Sequence, residues 1–371
     1  METEVLAHLR SETDAMVDHL ARLVGIESPT SDLNRVREMA DAAAVMGSQF
    51  LGAGPEWLDT AGRPNLRWQF GDRARVVLLG HLDTVWPAGT LARWPFSVAD
   101  GRATGPGAFD MKAGIVQTFF ALRSLDDLDG VTVLLNSDEE TGSRSSRELI
   151  ETTARGAGAV LVLEASAAGS LKIARKGVSL YDIDVHGRAA HAGLEPEKGA
   201  NAVIELAHQI LAMADVGRPD KGTTVTPTVA SGGSTINTVP AAATVHLDVR
   251  VFTLDEQQRV HDTLARIASH DPDVKVEIRG GPNRPPFPES SSRELFELAQ
   301  QLAADLGLAP LTGAAVGGGS DGNFTAGIGV PTLDGLGAVG DHAHAEGEYV
   351  EIAAMADRAA LLAALTENLR Q

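Results

Sequence analysis

Two kinds of strand pattern occur in different parts of the chain, and they constrain the fold more than any other feature. Three segments are almost uninterrupted apolar runs: VVLL at 76–79, VTVLL at 131–135 and VLVL at 160–163. Strands of this kind are buried on both faces, as in an α/β sheet that carries helices on each side. The helical patterns that predict this cover lie near residues 4–24, 112–125, 293–306 and 350–369.

From about Lys176 to Gly281 the chain alternates strictly between apolar and polar residues, which is typical of antiparallel strands with one exposed face. The alternating segments are YDIDV at 181–185, VHLDVRV at 245–251 and VKVEI at 274–278. Two helical patterns and a strand near 223–230 complete the order β-α-β-β-α-β, a split βαβ unit. Pro227 cannot donate to a ladder, so that strand is predicted at an edge.

A chain of 371 residues is expected to form about two domains. The change of pattern predicts an α/β catalytic domain with a mixed sheet flanked by helices. This domain is discontinuous and comprises residues 1–175 and 282–371. Residues 176–281 are predicted to form an inserted, ferredoxin-like α+β domain.

Composition excludes several classes of function. The formal net charge of -19 argues against nucleic acid or an anionic membrane as a partner, because both would repel an acidic surface. The sequence has no cysteine, so disulfides, thiolate nucleophiles and cysteine zinc sites are excluded. The N-terminal segment interleaves charged with apolar residues and contains no signal-type or stop-transfer run, which predicts a cytoplasmic protein.

Residues with acid, base or ligand chemistry follow each of the three buried strands: GHLDT at 80–84, NSDEETG at 136–142 and EAS at 164–166. Ligands bind at the carboxyl ends of strands in open α/β sheets, so these residues are expected to share one crevice. Singly, each has a plain structural reading, such as a loop histidine, a solvated helix start or a strand cap. Together with GPGAFDMK at 105–112 and DHAH at 341–344, they favour a metal site of imidazole and carboxylate ligands.

Six segments resemble, in the same order, the family of carboxypeptidase G (glutamate carboxypeptidase), aminoacylase, acetylornithine deacetylase and succinyl-diaminopimelate desuccinylase. The segments are GHLDTVWP, GPGAFDMKAG, NSDEETGS, LVLEAS, HGRAAHAG to GAN, and GDHAHAEGEYVEI. The resemblance extends from about Leu20 to Glu351 and implies a dizinc exopeptidase-type catalytic domain with an inserted lid and dimerisation domain. It also implies two Zn²⁺ ions per chain, for which Co²⁺ or Mn²⁺ can substitute.

The resemblance also implies the metal ligands. Asp110 corresponds to the carboxylate that bridges the two ions, with His81 and Glu164 on one ion and Glu140 and His344 on the other. The last ligand is placed four positions before the glutamate of the closing EYV segment, which selects His344. His342 is the alternative in the same loop.

Glu139 and Asp83 are the catalytic candidates of the same domain. Adjacent residues of an extended backbone point in opposite directions, so Glu140 can bind metal while Glu139 addresses the attacking water. The resemblance makes Glu139 the general base, with Asp138 as the alternative, and makes Asp83 the carboxylate that orients His81. The structural reading of Asp83 is a loop cap.

Three residues of the inserted domain match family positions that act on the substrate. His191 corresponds to a histidine that reaches the active site of the partner subunit, and its structural reading is an exposed turn residue. Asn237 and Arg250 correspond to positions that bind the carboxylate of the substrate. Arg250 has the alternative of pairing with Asp248 or Glu277 across the sheet.

The predicted function is zinc-dependent hydrolysis of an amide bond next to a free carboxylate, as in glutamate carboxypeptidases, by a homodimer that pairs through its inserted domain. Its partners are a small peptide or N-acyl amino acid and a second copy of the chain, with no nucleic acid and no membrane. Alternatives with the same ligands are an N-acyl-amino-acid deacylase and a di- or tripeptidase. A non-catalytic metal-dependent binding protein would have lost Glu139, Asp83 or a ligand, and all are present.

Overall fold

A computed structural model describes residues 2–371. In this range the α-helices are α1 (Glu2–Ser11), α2 (Thr13–Val24), α3 (Leu33–Leu51), α4 (Thr90–Arg93), α5 (Ala113–Arg123), α6 (Arg147–Ala154), α7 (Ala202–Ala214), α8 (Leu254–Leu264), α9 (Arg293–Asp305), α10 (Gly322–Gly327) and α11 (Ile352–Leu369). The strands are β1 (Glu56–Thr60), β2 (Arg63–Gln69), β3 (Val76–His81), β4 (Ser97–Ala99), β5 (Arg102–Thr104), β6 (Val131–Asn136), β7 (Ala159–Val162), β8 (Leu171–Arg175), β9 (Gly177–His186), β10 (Thr224–Gly232), β11 (Ala242–Val251), β12 (Lys275–Arg284), β13 (Gly313–Val316), β14 (Thr332–Leu333), β15 (Gly340–Asp341) and β16 (Tyr349–Glu351).

These elements form two compact units. The first contains the chain up to Ala174 together with Pro288–Val316 and Ser320–Gln371. The second contains Arg175–Phe287 and the short segment Gly317–Gly319. The lid and dimerisation role of residues 176–281 stays a prediction.

The main sheet of the first unit is mixed, with the strand order β1-β2-β6-β3-β7-β14. β3 lies between β6 and β7 and runs parallel to both. Every residue of these three strands is buried, so the prediction from their apolar runs is confirmed. β1 and β2 extend the sheet as an antiparallel pair at one edge.

The helical pattern near 4–24 is two helices rather than one, because α1 ends at Ser11 and α2 begins at Thr13. The hydroxyls of Ser11 and Thr13 donate to the backbone oxygens of His8 and Arg10, and such local bonds compete with helix continuation.

The 19-residue helix α3 was not predicted from the pattern. Its end signals are nevertheless present in the sequence. The side chain of Asp32 caps its first turn, and Gly52 ends it in the left-handed conformation. No helix within residues 2–371 is both long enough and apolar enough to cross a lipid bilayer.

The second unit is a four-stranded antiparallel sheet in the order β10-β11-β9-β12. Its chain order, β9-α7-β10-β11-α8-β12, is the predicted split βαβ order. Alternate residues of β9 and β11 are buried, including Ile183 and Val245. β10 is an edge strand and contains Pro227 beside a register shift, which confirms the edge position expected for that proline.

Candidate metal centre

The carboxyl ends of three parallel strands bring imidazole and carboxylate side chains together in the first unit. His81 is the last residue of β3. Glu139 and Glu140 lie in a short 3₁₀ turn after β6, and Glu164 lies just after β7. Because these strands are neighbours in the sheet, their ends lie side by side, as expected from the sequence.

The remaining candidate ligands come from two loops. Asp110 lies in an irregular helical turn at Ala108–Lys112, and its peptide bond with Met111 is cis. The turn begins after Gly107, at φ +73°, where a Cβ atom would lie 2.5 Å from Thr84 Cγ2. His344 lies in the loop between β15 and β16.

Asp110 faces two groups of side chains at once. Its Oδ1 lies 3.3 Å from His81 Nε2, which is also 3.6 Å from Glu164 Oε1. Its Oδ2 lies 3.3 Å from His344 Nε2, which is also 3.1 Å from Glu140 Oε2. Ligands about 2.0–2.1 Å from a tetrahedral zinc ion are about 3.3 Å from one another. Both trios therefore have the spacing of a zinc ligand set, and Asp110 belongs to both.

The donor set itself fits a metal ion. Glu140 Oε1 is buried and has no hydrogen-bond partner among residues 2–371. A buried carboxylate oxygen without a partner carries a large desolvation penalty, which a cation would offset. Imidazole nitrogens and carboxylate oxygens are the ligands that zinc accepts in proteins without cysteine thiolates.

The pKa values of the cluster also indicate that positive charge at this site is favourable. Hydrogen bonds to Asp110 and Glu140 raise the pKa of His344 to about 11. Burial raises the pKa of Glu140 to about 7. For His81, burial favours the neutral ring, but hydrogen bonds to Asp110, Asp83 and Glu164 outweigh it and raise its pKa well above the usual value. Acidic neighbours thus draw protons onto both imidazoles, and a metal ion would supply that charge instead.

His344, rather than His342, is the histidine that enters the cluster. Both residues have a left-handed backbone conformation, which is uncommon outside glycine. The ring of His342 lies against Tyr349, with 5.9 Å between the ring centroids. The geometry therefore supports the choice of His344 over its alternative.

Asp83 contacts both His81 and the turn that carries Glu139 and Glu140. Its Oδ1 lies 3.5 Å from His81 Nδ1, and its backbone oxygen lies closer to that nitrogen, at 2.9 Å. The same carboxylate accepts hydrogen bonds from Thr30 Oγ1 and from the backbone N–H groups of Glu139 and Glu140. Burial would raise the pKa of Asp83, but its hydrogen bonds and the charge of His81 keep it below the usual value. Asp83 therefore fixes the imidazole and the acidic turn together.

Glu139 and Asp138 have different surroundings. Glu139 is 7% exposed, lies beside Glu140 and belongs to neither trio. Asp138 accepts hydrogen bonds from the backbone and hydroxyl of Ser145, at 2.8 and 2.6 Å, and from the hydroxyl of Ser146. Asp138 thus closes the loop that follows β6, which leaves Glu139 as the better candidate for a proton acceptor.

Glu348 is a site residue that the sequence reasoning missed, although it was used to locate His344. It is fully buried, and its carboxylate accepts hydrogen bonds from Trp86 Nε1 and from the backbone of Gly107, Phe109 and Asp110. Burial raises the pKa of Glu348. The sequence signal that could have found it is its place at the start of the closing EYV segment, four positions after His344.

The second unit brings His191 and Asn237 into one pair of loops. The backbone N–H of Ala192 donates to the backbone oxygen of Asn237, and that of Val239 donates to the backbone oxygen of Ala190, both at 2.9 Å. His191 is exposed, and its Nδ1 accepts hydrogen bonds from two backbone N–H groups at 3.1 and 3.2 Å. Nδ1 is therefore the acceptor nitrogen, and the proton of the neutral ring lies on Nε2.

Arg250 is engaged by its neighbour on the same face of β11. Its Nε and Nη2 donate to the two carboxylate oxygens of Asp248 at 2.7 and 2.8 Å. This is one of the structural alternatives expected from the sequence. The bidentate pair uses one edge of the guanidinium, and the Nη1 edge carries no hydrogen bond within the described chain.

Fold and site together define a metallopeptidase, a hydrolase of peptide or amide bonds. Residues 77–368 match the family described as Peptidase family M20/M25/M40, and the chain belongs to this metal-dependent family. Carboxypeptidase G2 from Pseudomonas sp. (strain RS-16) is 30% identical over 393 residues, covering 96% of this chain and 90% of that protein. A succinyl-diaminopimelate desuccinylase from Halorhodospira halophila is 29% identical, covering 81% of this chain and 85% of its own.

Solved structures share the fold. A tripeptidase from Staphylococcus aureus matches with a TM-score of 0.74 at 21% identity, covering 96% of this chain and 98% of that chain. An M20 family metallo-carboxypeptidase from Sulfolobus solfataricus matches with a TM-score of 0.73 at 17% identity, covering 96% and 99%. The family, the fold class and the enzyme class predicted from the sequence are confirmed.

Proposed function

We propose that the protein is a dizinc hydrolase that cleaves an amide bond next to a free carboxylate, in the manner of glutamate carboxypeptidases. The observation that carries the proposal is the position of Asp110 between two trios of ligand spacing, with Glu139 beside them and outside both. The likeness to carboxypeptidase G2 over 96% of the chain supports the same reaction class.

Each trio would hold one Zn²⁺ ion, with Co²⁺ or Mn²⁺ as substitutes: His81, Asp110 and Glu164 on one side, Asp110, Glu140 and His344 on the other. Bound there, the two ions would lower the pKa of a shared water and polarise the scissile carbonyl. Asp83 holds the His81 ring through Nδ1, so that Nε2 faces the centre.

Glu139 is the proposed general base. It accepts the proton of the attacking water and then delivers that proton to the leaving nitrogen, so the carboxylate ends the cycle as it began. This role requires a carboxylate that is not itself a ligand, and Glu139 meets that condition. Its backbone N–H donates to Asp83 at 3.2 Å, which fixes its position relative to His81.

His191 is proposed to act across a homodimer. Because Nδ1 is occupied by backbone donors, Nε2–H is free to donate to the carbonyl oxygen of the substrate as charge develops on it. The exposed loop that carries His191 supports a role toward another subunit. The resemblance to the family motivates this assignment.

The proposed dimer surface consists of β10 and the outer face of α7, which we name the β10–α7 surface. β10 is an edge strand without any charged residue. On α7, Val203, Ile204 and Leu211 are 39%, 59% and 68% exposed. The uncharged edge of β10 and the exposed apolar side chains of α7 together form a surface that can pair with another chain. A second copy of the chain would cover it symmetrically, because two identical edge strands can pair about a twofold axis.

Arg250 and Asn237 are proposed to bind the free carboxylate of the substrate. Asp248 uses the Nε edge of Arg250, so the substrate carboxylate would meet the Nη1 edge of the same guanidinium. The Asn237 side chain would donate its amide to the same carboxylate. Asp248 would then hold the guanidinium of Arg250 in position.

A substrate panel tests the proposed function. The metal-loaded enzyme is assayed on a folate-type glutamate conjugate, N-acetyl and N-succinyl amino acids, and di- and tripeptides, each as the free acid and as the C-terminal amide. We expect cleavage of the glutamate conjugate as the free acid and little cleavage of its amide. A preference for N-acetyl or N-succinyl substrates would establish the deacylase alternative, and equal rates on acid and amide would refute the carboxylate requirement.

A further inference from the structure

A cavity of about 310 Å³ lies in the first unit among residues that the metal centre does not use. Its wall consists of the turn at Ala168 and Gly169, the segment 308–312 after α9, Val339, and one face of α11. Most of these side chains are apolar, including Leu308, Leu311 and Leu361. Arg358, a charged residue, also lines this cavity.

Within the part of the chain that the structure describes, Arg358 is a buried cation without a counter-ion. Its residue is 6% exposed, and Nη2 donates to the backbone oxygen of Gly169. Nη1 is buried and has no hydrogen-bond partner within residues 2–371. The pKa of Arg358 is lowered to about 10 by burial alone, which agrees with the lack of a nearby anion in the described chain.

Asp357, an acidic residue that also lines the cavity, does not neutralise Arg358. Asp357 accepts a hydrogen bond of 2.8 Å from Arg10 Nε and is engaged there. An unpaired buried guanidinium is unfavourable, and an anion in the cavity that Arg358 lines would offset its charge. The guanidinium fork matches a carboxylate well, because two N–H groups can donate to two oxygens.

We propose that this cavity binds a small monocarboxylate with an apolar body. The carboxylate pairs with the guanidinium of Arg358, which lines the cavity, and the apolar body packs against Leu308, Leu311 and Leu361. The apolar wall selects against a fully hydrated anion such as phosphate, which would lose its water without gaining polar partners. This site is separate from the metal ligands, so the inference stands independently of the proposed reaction.

Titration calorimetry on the metal-loaded protein tests the site with three matched probes. 4-Methylpentanoate has the charge and the apolar body, 4-methylpentanamide lacks the charge, and inorganic phosphate lacks the body. We expect the acid to bind and the amide to bind at least about tenfold more weakly, since a charge-assisted hydrogen bond is lost. Phosphate is expected to bind more weakly than 4-methylpentanoate at this site.

Two variants separate this site from carboxylate binding at the metal ions. Arg358→Met removes the charge and keeps the length of the side chain, and Arg358→Lys keeps the charge. Binding common to wild type and Arg358→Met belongs to the metal centre. The additional binding event is expected to weaken roughly tenfold to a hundredfold in Arg358→Met and less in Arg358→Lys.

A crystal soaked with 4-bromobenzoate locates the ligand without any variant. The bromine anomalous signal is expected inside the cavity, with the carboxylate beside Arg358. Bromine only at the metal centre would overturn the proposal, even if a variant failed to fold. Equal affinities of acid and amide, or identical titrations of wild type and Arg358→Met, would overturn it as well.

Discussion

Glu348 Oε1 accepts a hydrogen bond of 2.9 Å from the backbone N–H of Asp110, the residue that faces both candidate metal sites. The same oxygen accepts from Phe109 at 2.8 Å, while Oε2 accepts from Trp86 Nε1 at 2.8 Å. A buried carboxylate thus holds the backbone of the proposed bridging ligand. Bonds from N–H groups to a carboxylate are charge-assisted, so the position of Asp110 depends on Glu348.

Glu348→Ala is expected to destabilise the protein and to weaken metal binding at both sites. The substitution leaves backbone N–H groups buried without an acceptor, which costs roughly 3 kcal/mol or more in the free energy of unfolding. Urea denaturation and metal titration measure the two effects. Glu346→Ala is the control, because Glu346 is exposed and pairs with exposed Arg93. Equal behaviour of the two variants would show that Glu348 does not position the loop.

Asp110→Ala is expected to weaken both metal sites, because its two oxygens face different trios. Glu164→Ala and His344→Ala should each remove one ion and leave the other. Metal analysis after dialysis against limiting Zn²⁺ gives the stoichiometry. His342→Ala is the matched control for His344→Ala, since His342 lies in the same loop against Tyr349. Loss of an ion in His342→Ala, with two retained in His344→Ala, would exchange their assignments.

Glu139→Gln is expected to keep both metal ions and to lose roughly 10²–10⁴ in turnover, the usual range for a general base. The substitution removes the proton-accepting oxygen and leaves the backbone bond to Asp83 in place. Turnover and metal content are measured on the same preparation. Asp138→Asn is the comparison: it should lower stability, because one of the two carboxylate oxygens that accept from Ser145 and Ser146 is replaced by an NH2 donor. Near-normal turnover of Glu139→Gln would move the base to another residue.

The sequence predicted those parts of the fold that depend on local pattern. The continuous apolar runs of β3, β6 and β7 and the alternation in β9 and β11 require particular environments, and the structure has them. Helix α3 was missed despite its cap at Asp32 and its stop at Gly52, because much of its buried face is alanine and glycine, which give a weak apolar periodicity.

The sequence predicted the candidate ligands of the site, but not the buried charged residues of the surrounding structure. Strand ends alone placed His81 and the acidic turn, whereas Asp110 and His344 came from the family resemblance because no spacing rule joins distant loops. Glu348 and Arg358 were not identified, since both are charged residues whose burial arises only from tertiary packing. The residue type alone does not indicate that the fold will bury a charged side chain.

His191 is expected to act in trans. When His191→Ala and Glu139→Gln chains are mixed in equal amounts, half of the dimers are mixed and each mixed dimer has one intact site. Activity should therefore recover to about a quarter of the wild-type value per chain after full subunit exchange. Steady-state assays before and after exchange measure the recovery.

The matched control for this experiment is the double variant His191→Ala/Glu139→Gln mixed with wild type. If His191 acts in trans, every mixed dimer is inactive, because the wild-type chain faces a partner without the histidine. If His191 acts within its own chain, each mixed dimer keeps one active site. Recovery absent from the first mixture and activity retained in the second would together exclude the shared site.

The second unit contains an ion-pair cluster with a predictable pH dependence. Glu256 is 8% exposed and accepts hydrogen bonds from Arg259 at 2.8 and 2.9 Å, from Thr223 at 2.7 Å and from Arg218 at 3.2 Å. The hydrogen bonds from Arg259, followed by those of its other partners, lower the pKa of Glu256 to about 2. The folded state therefore favours the ionised carboxylate more than the unfolded state does.

Glu256→Gln is expected to lower the free energy of unfolding by roughly 2–3 kcal/mol at neutral pH. A group with a lowered folded-state pKa contributes its stability above its unfolded pKa, near 4.5, and loses it as the pH falls toward about 2. The difference between wild type and variant should thus be constant above about pH 5.5 and shrink below it. Urea denaturation at a series of pH values, on protein treated with a chelator so that metal release does not contribute, measures this difference.

Asp255→Asn is the control, because Asp255 lies in the same first turn of α8, is exposed and has no ion pair in the part of the chain that the structure describes. A difference for Glu256→Gln that stayed constant down to pH 3, or that matched Asp255→Asn throughout, would contradict the lowered pKa and leave Glu256 with a role in packing alone.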